Sequence, residues 1–159
     1  MSHAINVQIG RAAELGPALS AAPFPGFLPL DLGFVLCPMA IGVQRAFWED
    51  PLDSGEAAAK ALSAHGDVVY AETEYFGGVG GQAAVAYLLG ERLFAARSPG
   101  DFTSLKPDKV MDWPINEALR VAFGLGPSGK RDAFDRLGLG RWRGMDELLP
   151  ALGLSEDDW

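Results

Sequence analysis

One cysteine and two histidines in 159 residues leave few of the usual staples for a small domain. Cys37 has no partner for an internal disulfide, and with His3 and His65 alone it cannot complete a standard four-ligand zinc set. No metal and no cofactor are therefore expected. Cationic side chains are also scarce: 13 Lys and Arg stand against 21 Asp and Glu, a formal charge of −8. Nucleic-acid readers need clustered positive charge to neutralise phosphates, so no nucleic-acid partner is expected, and a charged partner should be basic. Long apolar runs are missing too. The most apolar stretch, Gly26 to Val43, is broken by Pro29, Asp31 and Pro38, which excludes a spanning helix there and with it a membrane partner. The start, Met1 to Asn6, lacks the basic and apolar regions of a signal peptide. A cytoplasmic protein is expected.

What is present is an ordinary globular composition, 48% hydrophobic and 21% charged, which excludes disorder, collagen and coiled coil for the whole chain. Residues 1–159 read as a single domain, long enough to bury a core without staples. Ile5, Val7 and Ile9 alternate with Asn6 and Gln8 as in a half-buried strand, expected to be short and at a sheet edge. Phe34 to Cys37 is a short apolar run suited to a central strand. Ile41 to Glu49 reads as a helical turn or two, and Ser54 as the cap of a helix from Gly55 to Ala64. Asp67 to Phe76 is the clearest strand, rich in β-branched and aromatic residues and stopped by Gly77 and Gly78. Gln82 to Leu89 and Arg92 to Ala96 would complete an antiparallel meander. Residues 98–110 have the composition of a flexible loop. Pro114 opens a helix with Ile115, Ala118, Leu119, Ala122 and Phe123 at helical spacing, closed by Gly124. Two shorter helices follow, from about Gly129 to Leu137 and from Met145 to Leu152, before an acidic tail, 154–159. The fold class is α+β: an antiparallel sheet of about four to five strands with helices mainly on one face.

The chemistry-bearing candidates begin with Glu72 and Glu74. They share strand parity, so both side chains leave one face with Cα atoms roughly 6.6 Å apart, while Thr73 and Tyr75 turn to the other. Two carboxylates so placed suit acid/base work or a hard divalent cation; equally, they suit the wet face of a sheet. The run Tyr75 to Gln82 holds Gly77, Gly78, Gly80 and Gly81. Gly78, Gly80 and Ala83 fit a loose dinucleotide fingerprint, but the following segment alternates as a strand where that motif requires a helix, so a glycine-rich hairpin is favoured. The Gly129-Lys130 pair is followed by Arg131 where a phosphate-binding loop needs Ser or Thr. Cys37 reads as packing and His65 as a surface residue at a helix end. Arg141, Trp142 and Arg143 form a candidate recognition trio, whose plainer reading is a ring covering the core. Trp113 is placed at an element edge beside Pro114. No catalytic residue is assigned. The candidate partner- or ligand-binding set is Glu72, Glu74, Tyr75, Gly78, Gly80, Gln82, Trp113, Arg141, Trp142 and Arg143.

The blocks Ala71 to Val85, with its Glu-Thr-Glu-Tyr-Phe-Gly-Gly strand and turn, Trp113 to Arg120, Phe134 to Arg141 and Glu156 to Trp159 together resemble a family of small uncharacterised bacterial proteins found in actinobacteria and proteobacteria. The resemblance covers roughly the last 90 residues in scattered blocks and implies no particular reaction. In general appearance the chain is also similar to immunity proteins encoded beside secreted bacterial toxins. Two functions follow as expectations: a binding or immunity-like domain with an acidic surface, or a small enzyme or ligand-binding protein using Glu72 and Glu74. A homodimer through a flat hairpin edge is a further expectation.

Overall fold

The computed structural model describes residues 3–19, 27–38, 55–76, 79–98 and 114–152. The strands β1 (His3–Arg11), β2 (Leu28–Pro29), β3 (Phe34–Pro38), β4 (Val68–Phe76), β5 (Val79–Leu88) and β6 (Glu91–Ser98) form one sheet in the order β2-β3-β1-β4-β5-β6. Every pair is antiparallel. The helices are α1 (Ala12–Leu19), α2 (Gly55–Leu62), α3 (Pro114–Phe123), α4 (Ala133–Leu137) and α5 (Met145–Ala151). The α+β class is as expected, with six strands rather than four or five. The extra strand, β2, is two residues long and too short to leave a periodic signal.

Parity sorts the side chains onto two faces. Ile5, Val7, Ile9, Leu36, Val69, Ala71, Ala84 and Ala86 pack with Ile115, Leu119, Leu137 and Leu148 beneath α3, α4 and α5. Val35, Cys37, Val68, Tyr70 and Tyr87 pack with Leu15, Ala59 and Leu62 of α1 and α2 on the reverse. Among the described residues three helices thus cover one face and two the other, so the larger layer lies on one face, as expected, with a smaller one behind the sheet. The strand β1 is also not at an edge: it lies between β3 and β4, with Gln8 paired to Cys37 on one side and Tyr70 on the other. Its inner position follows from having something to bury on both sides, since Gln8 is buried as fully as Ile9.

Residues 82–94 lie within the β5–β6 hairpin, as the alternation of Val85 and Tyr87 indicated, so no helix follows the glycine run. Its two-residue turn places Leu89 at φ 49° and Gly90 at φ 80°, the left-handed pair that a tight hairpin needs. The end of α2 holds this turn: Ser63 accepts Leu89 N–H on its carbonyl (2.9 Å) and Gly90 N–H on its Oγ (2.7 Å). Leu89 is 72% exposed, so its side chain contributes little packing while its backbone sits where Asn or Gly is preferred. Leu89→Asn is expected to raise stability by about 0.5–1 kcal/mol. Chemical denaturation of the two proteins reads this directly; a loss of stability would show that the exposed leucine has a packing role.

Beside the turn, Glu56 of α2 accepts from the Tyr87 hydroxyl (2.7 Å) and Arg92 (3.1 Å). Chiefly the Tyr87 bond holds the Glu56 carboxyl below its ordinary range, while burial and then Glu56 push the Tyr87 phenol up. The helices end where glycine permits: Gly124 follows α3 at φ 66° and Gly138 follows α4 at φ 76°, the left-handed C-terminal signal. The segment before α4, read from sequence as helix from Gly129, is instead a tight turn with paired backbone bonds between Ser128 and Arg131. Helix starts only after Asp132, whose Oδ1 accepts Asp135 N–H (2.8 Å). The expected turns at 41–49, the Ser54 cap, the 98–110 loop beyond Ser98 and the tail lie outside the described residues.

Candidate functional site

Glu72 and Glu74 occupy alternate positions of β4, and Glu72 shares the parity of Tyr70, which packs on the α1/α2 side. Glu72 stands between Asn6 of β1 and Ala83 of β5, and Glu74 between Ala4 and Gly81. Tyr70 precedes them at the same parity, and its hydroxyl donates to Glu72 Oε1. Tyr70 is buried, Glu72 half-buried and Asn6 exposed, so this row runs from the core under α2 outward to solvent. A phenol fixed by packing thereby orients a carboxylate at the margin of the core. Thr73, on the opposite face, is buried and its Oγ1 accepts Ile5 N–H (3.1 Å). Cys37 lies in the Gln8–Tyr70 row, fully buried, and burial pushes its thiol up to about 12. Such a thiol stays protonated at neutral pH and is a poor nucleophile.

The rest of the candidate set divides. Tyr75 pairs with His3 and Gly80 at the far end of β4. Gln82 is on the other face, buried, with Oε1 accepting Ile115 N–H (2.8 Å) in the first turn of α3. Arg141 pairs with Asp31 (2.9 Å) and donates from Nε to the Gly138 carbonyl (3.3 Å). Trp142 packs on the core beneath α3–α5, as its plainer reading had it, and its Nε1 is buried with no acceptor among the described residues. Arg143 is exposed, with its backbone N–H on Glu147 (3.0 Å). Gly78 and Trp113 lie outside the described residues. The structure therefore separates Glu72 from Gln82, which is on the other face, and from the Arg141–Arg143 trio.

Sequence reasoning missed Tyr70, although its same-parity spacing from Glu72 was a usable signal. It also missed a second site. On the opposite side of the sheet, a cleft of about 170 Å³ opens between α3 and the start of α4, lined among others by Asn116, Glu117, Leu125, Pro127, Asp132 and Ala133. Asn116 ties its two sides, donating from Nδ2 to Asp132 Oδ2 (3.0 Å) and accepting Phe134 N–H on Oδ1 (3.0 Å). Among the described residues no group of His, Cys, Asp and Glu could hold a metal ion, and no helix is long and apolar enough to cross a membrane. No family model, curated protein or solved structure matches the chain.

Proposed function

We propose that this chain is a binding protein of the bacterial cytoplasm, immunity-like in kind, whose acidic face receives a basic partner. The observation that carries the reading is the Tyr70–Glu72 bond: a half-buried carboxylate, fixed by a core phenol, stands in register with exposed Asn6, two positions before Glu74 on β4. The excess of eight negative charges supports it, since complementary charge steers encounter and selects the partner. The lone buried thiol suits a reducing compartment. The outer edge of β6, which has no strand neighbour among the described residues, is where the homodimer expected from sequence is proposed.

The test is a pull-down from lysate of the native organism, beside Glu72→Lys/Glu74→Lys, with the captured partner then purified and its affinity measured. The charge-reversed variant should stay folded, with a lowered melting temperature because the buried Tyr70 hydroxyl loses the Glu72 acceptor, and bind about 10- to 100-fold more weakly, and wild-type affinity should fall with added salt. Tyr70→Phe, which removes the orienting hydroxyl and leaves both charges, should weaken binding by a smaller factor. Equal affinity for wild type and the charge-reversed protein sinks the reading. The alternative, a small ligand or substrate at Glu72 and Glu74, is favoured by the same phenol–carboxylate pair; an empty wild-type lane with a thermal shift on a metabolite or divalent metal, lost in Glu72→Ala/Glu74→Ala, would select it.

A further inference from the structure

We infer that the cleft between α3 and the start of α4 binds a primary alkylammonium group, carried by a free amine or by a lysine side chain. The cleft lies on the sheet face opposite Glu72, so this site does not depend on the reading above. Its distinctive group is Asp132, a half-buried carboxylate lining the cavity. Each of its oxygens takes one neutral donor, Asn116 Nδ2 on Oδ2 and Asp135 N–H on Oδ1. Among the described residues it belongs to no ion pair. An ionised carboxylate accepts about four hydrogen bonds, so Asp132, which also faces the Asp135 carboxyl, retains acceptor capacity and a charge that no ion pair among the described residues meets.

The charges around it are arranged to leave that position to a ligand. Arg120, which itself lines the cleft, is paired with Glu117 (2.6 Å), Arg136 donates to the Gly126 carbonyl (2.7 Å) and Arg131 to the Asp135 carbonyl (2.6 Å). Asp135 is pushed above the usual carboxylate range, by burial first and by the Asp132 charge next, which shows a negative field at this corner. The remaining walls, Leu125, Pro127 and Ala133, are apolar and suit an alkyl stem better than the hydration shell of an inorganic cation. At about 30 Å³ per water, the volume equals five to six waters, the scale of a four-carbon amine and too small for a nucleotide. Ammonium on Asp132 with the stem against Leu125 and Pro127 uses every one of these features.

The probe is n-butylammonium, added to ¹⁵N-labelled protein and followed by amide NMR, with butyrate as the opposite-charge control and Nα-acetyl-lysine N-methylamide as the peptide-like arm. Butylammonium should give saturable shifts at Leu125, Gly126, Ala133 and the Asn116 side-chain amide. Asp132→Asn keeps the helix cap, since Asn caps as well as Asp, and should weaken binding at least about tenfold through loss of a charge-assisted bond. Glu117→Gln, which leaves the cap untouched, should weaken it by a smaller factor. Binding of both cations assigns the site to lysine side chains of a partner; binding of butylammonium alone assigns it to a free amine. Absence of a saturable response, an unchanged affinity in both variants, or an equal response to butyrate overturns the proposal.

Discussion

Asn116→Leu is expected to lower stability by about 3 kcal/mol and the melting temperature by about 6–12 °C, although leucine restores the lost volume. Asn116, buried in the first turn of α3, ties that helix to the start of α4: its Oδ1 takes the Phe134 amide and its Nδ2 reaches Asp132. The Phe134 N–H belongs to the first turn of α4, where helix geometry supplies no acceptor. With leucine there, a first-turn donor loses its acceptor and Asp132 loses a neutral donor, each a desolvation cost of about 1–3 kcal/mol. Calorimetry of wild type and variant decides it; a melting temperature within about 2 °C of wild type would mean that water serves both groups equally well.

Gly10→Val should destabilise by about 2–3 kcal/mol. Gly10 lies in β1 directly under Leu15 of α1, and a Cβ built there would stand 2.1 Å from Leu15 Cδ1 and 2.6 Å from Cγ. Positive φ is not the reason for glycine here, since Gly10 is absent from the left-handed residues; close approach of helix to strand is. Leu15 is 1% exposed and has no free space to rotate into, so α1 must lift or the core beneath it must repack. The pairing with Leu15 is testable by urea unfolding of Gly10→Val, Leu15→Ala and the double variant. The double variant should lose clearly less than the sum of the singles, because the smaller side chain accommodates the new Cβ. Additive losses would place the strain of Gly10→Val elsewhere.

Much of the local structure was legible because it is set by nearest neighbours in the chain. Pro114 and Gly124 bracket α3 as read, and the β-branched and aromatic run 67–76 and the apolar run 82–89 marked β4 and most of β5, which begins three residues earlier, at Val79. By contrast, Gln82 and Asn116 stood in the sequence as polar residues of ambiguous purpose. Each proves to satisfy the first turn of a helix from a distant element, Gln82 for Ile115 and Asn116 for Phe134. The helix start at Asp132, rather than at Gly129, carried a sequence signal in the Asp132–Asp135 spacing of a capping residue and its amide.

The sequence by itself determined the class of fold, the meander of β4, β5 and β6 and the limits of α3. All of these depend on φ/ψ preference and on periods of two or 3.6 residues, which are written within a few positions of each other. Only the tertiary structure decided that β1 lies inside the sheet and that helices occupy both faces. It alone decided that Tyr70 orients Glu72 and that Asn116 and Asp132 frame a cleft. Those arrangements depend on which buried polar groups find partners and which surfaces fit across tens of residues, and that matching is made only when the whole chain has packed.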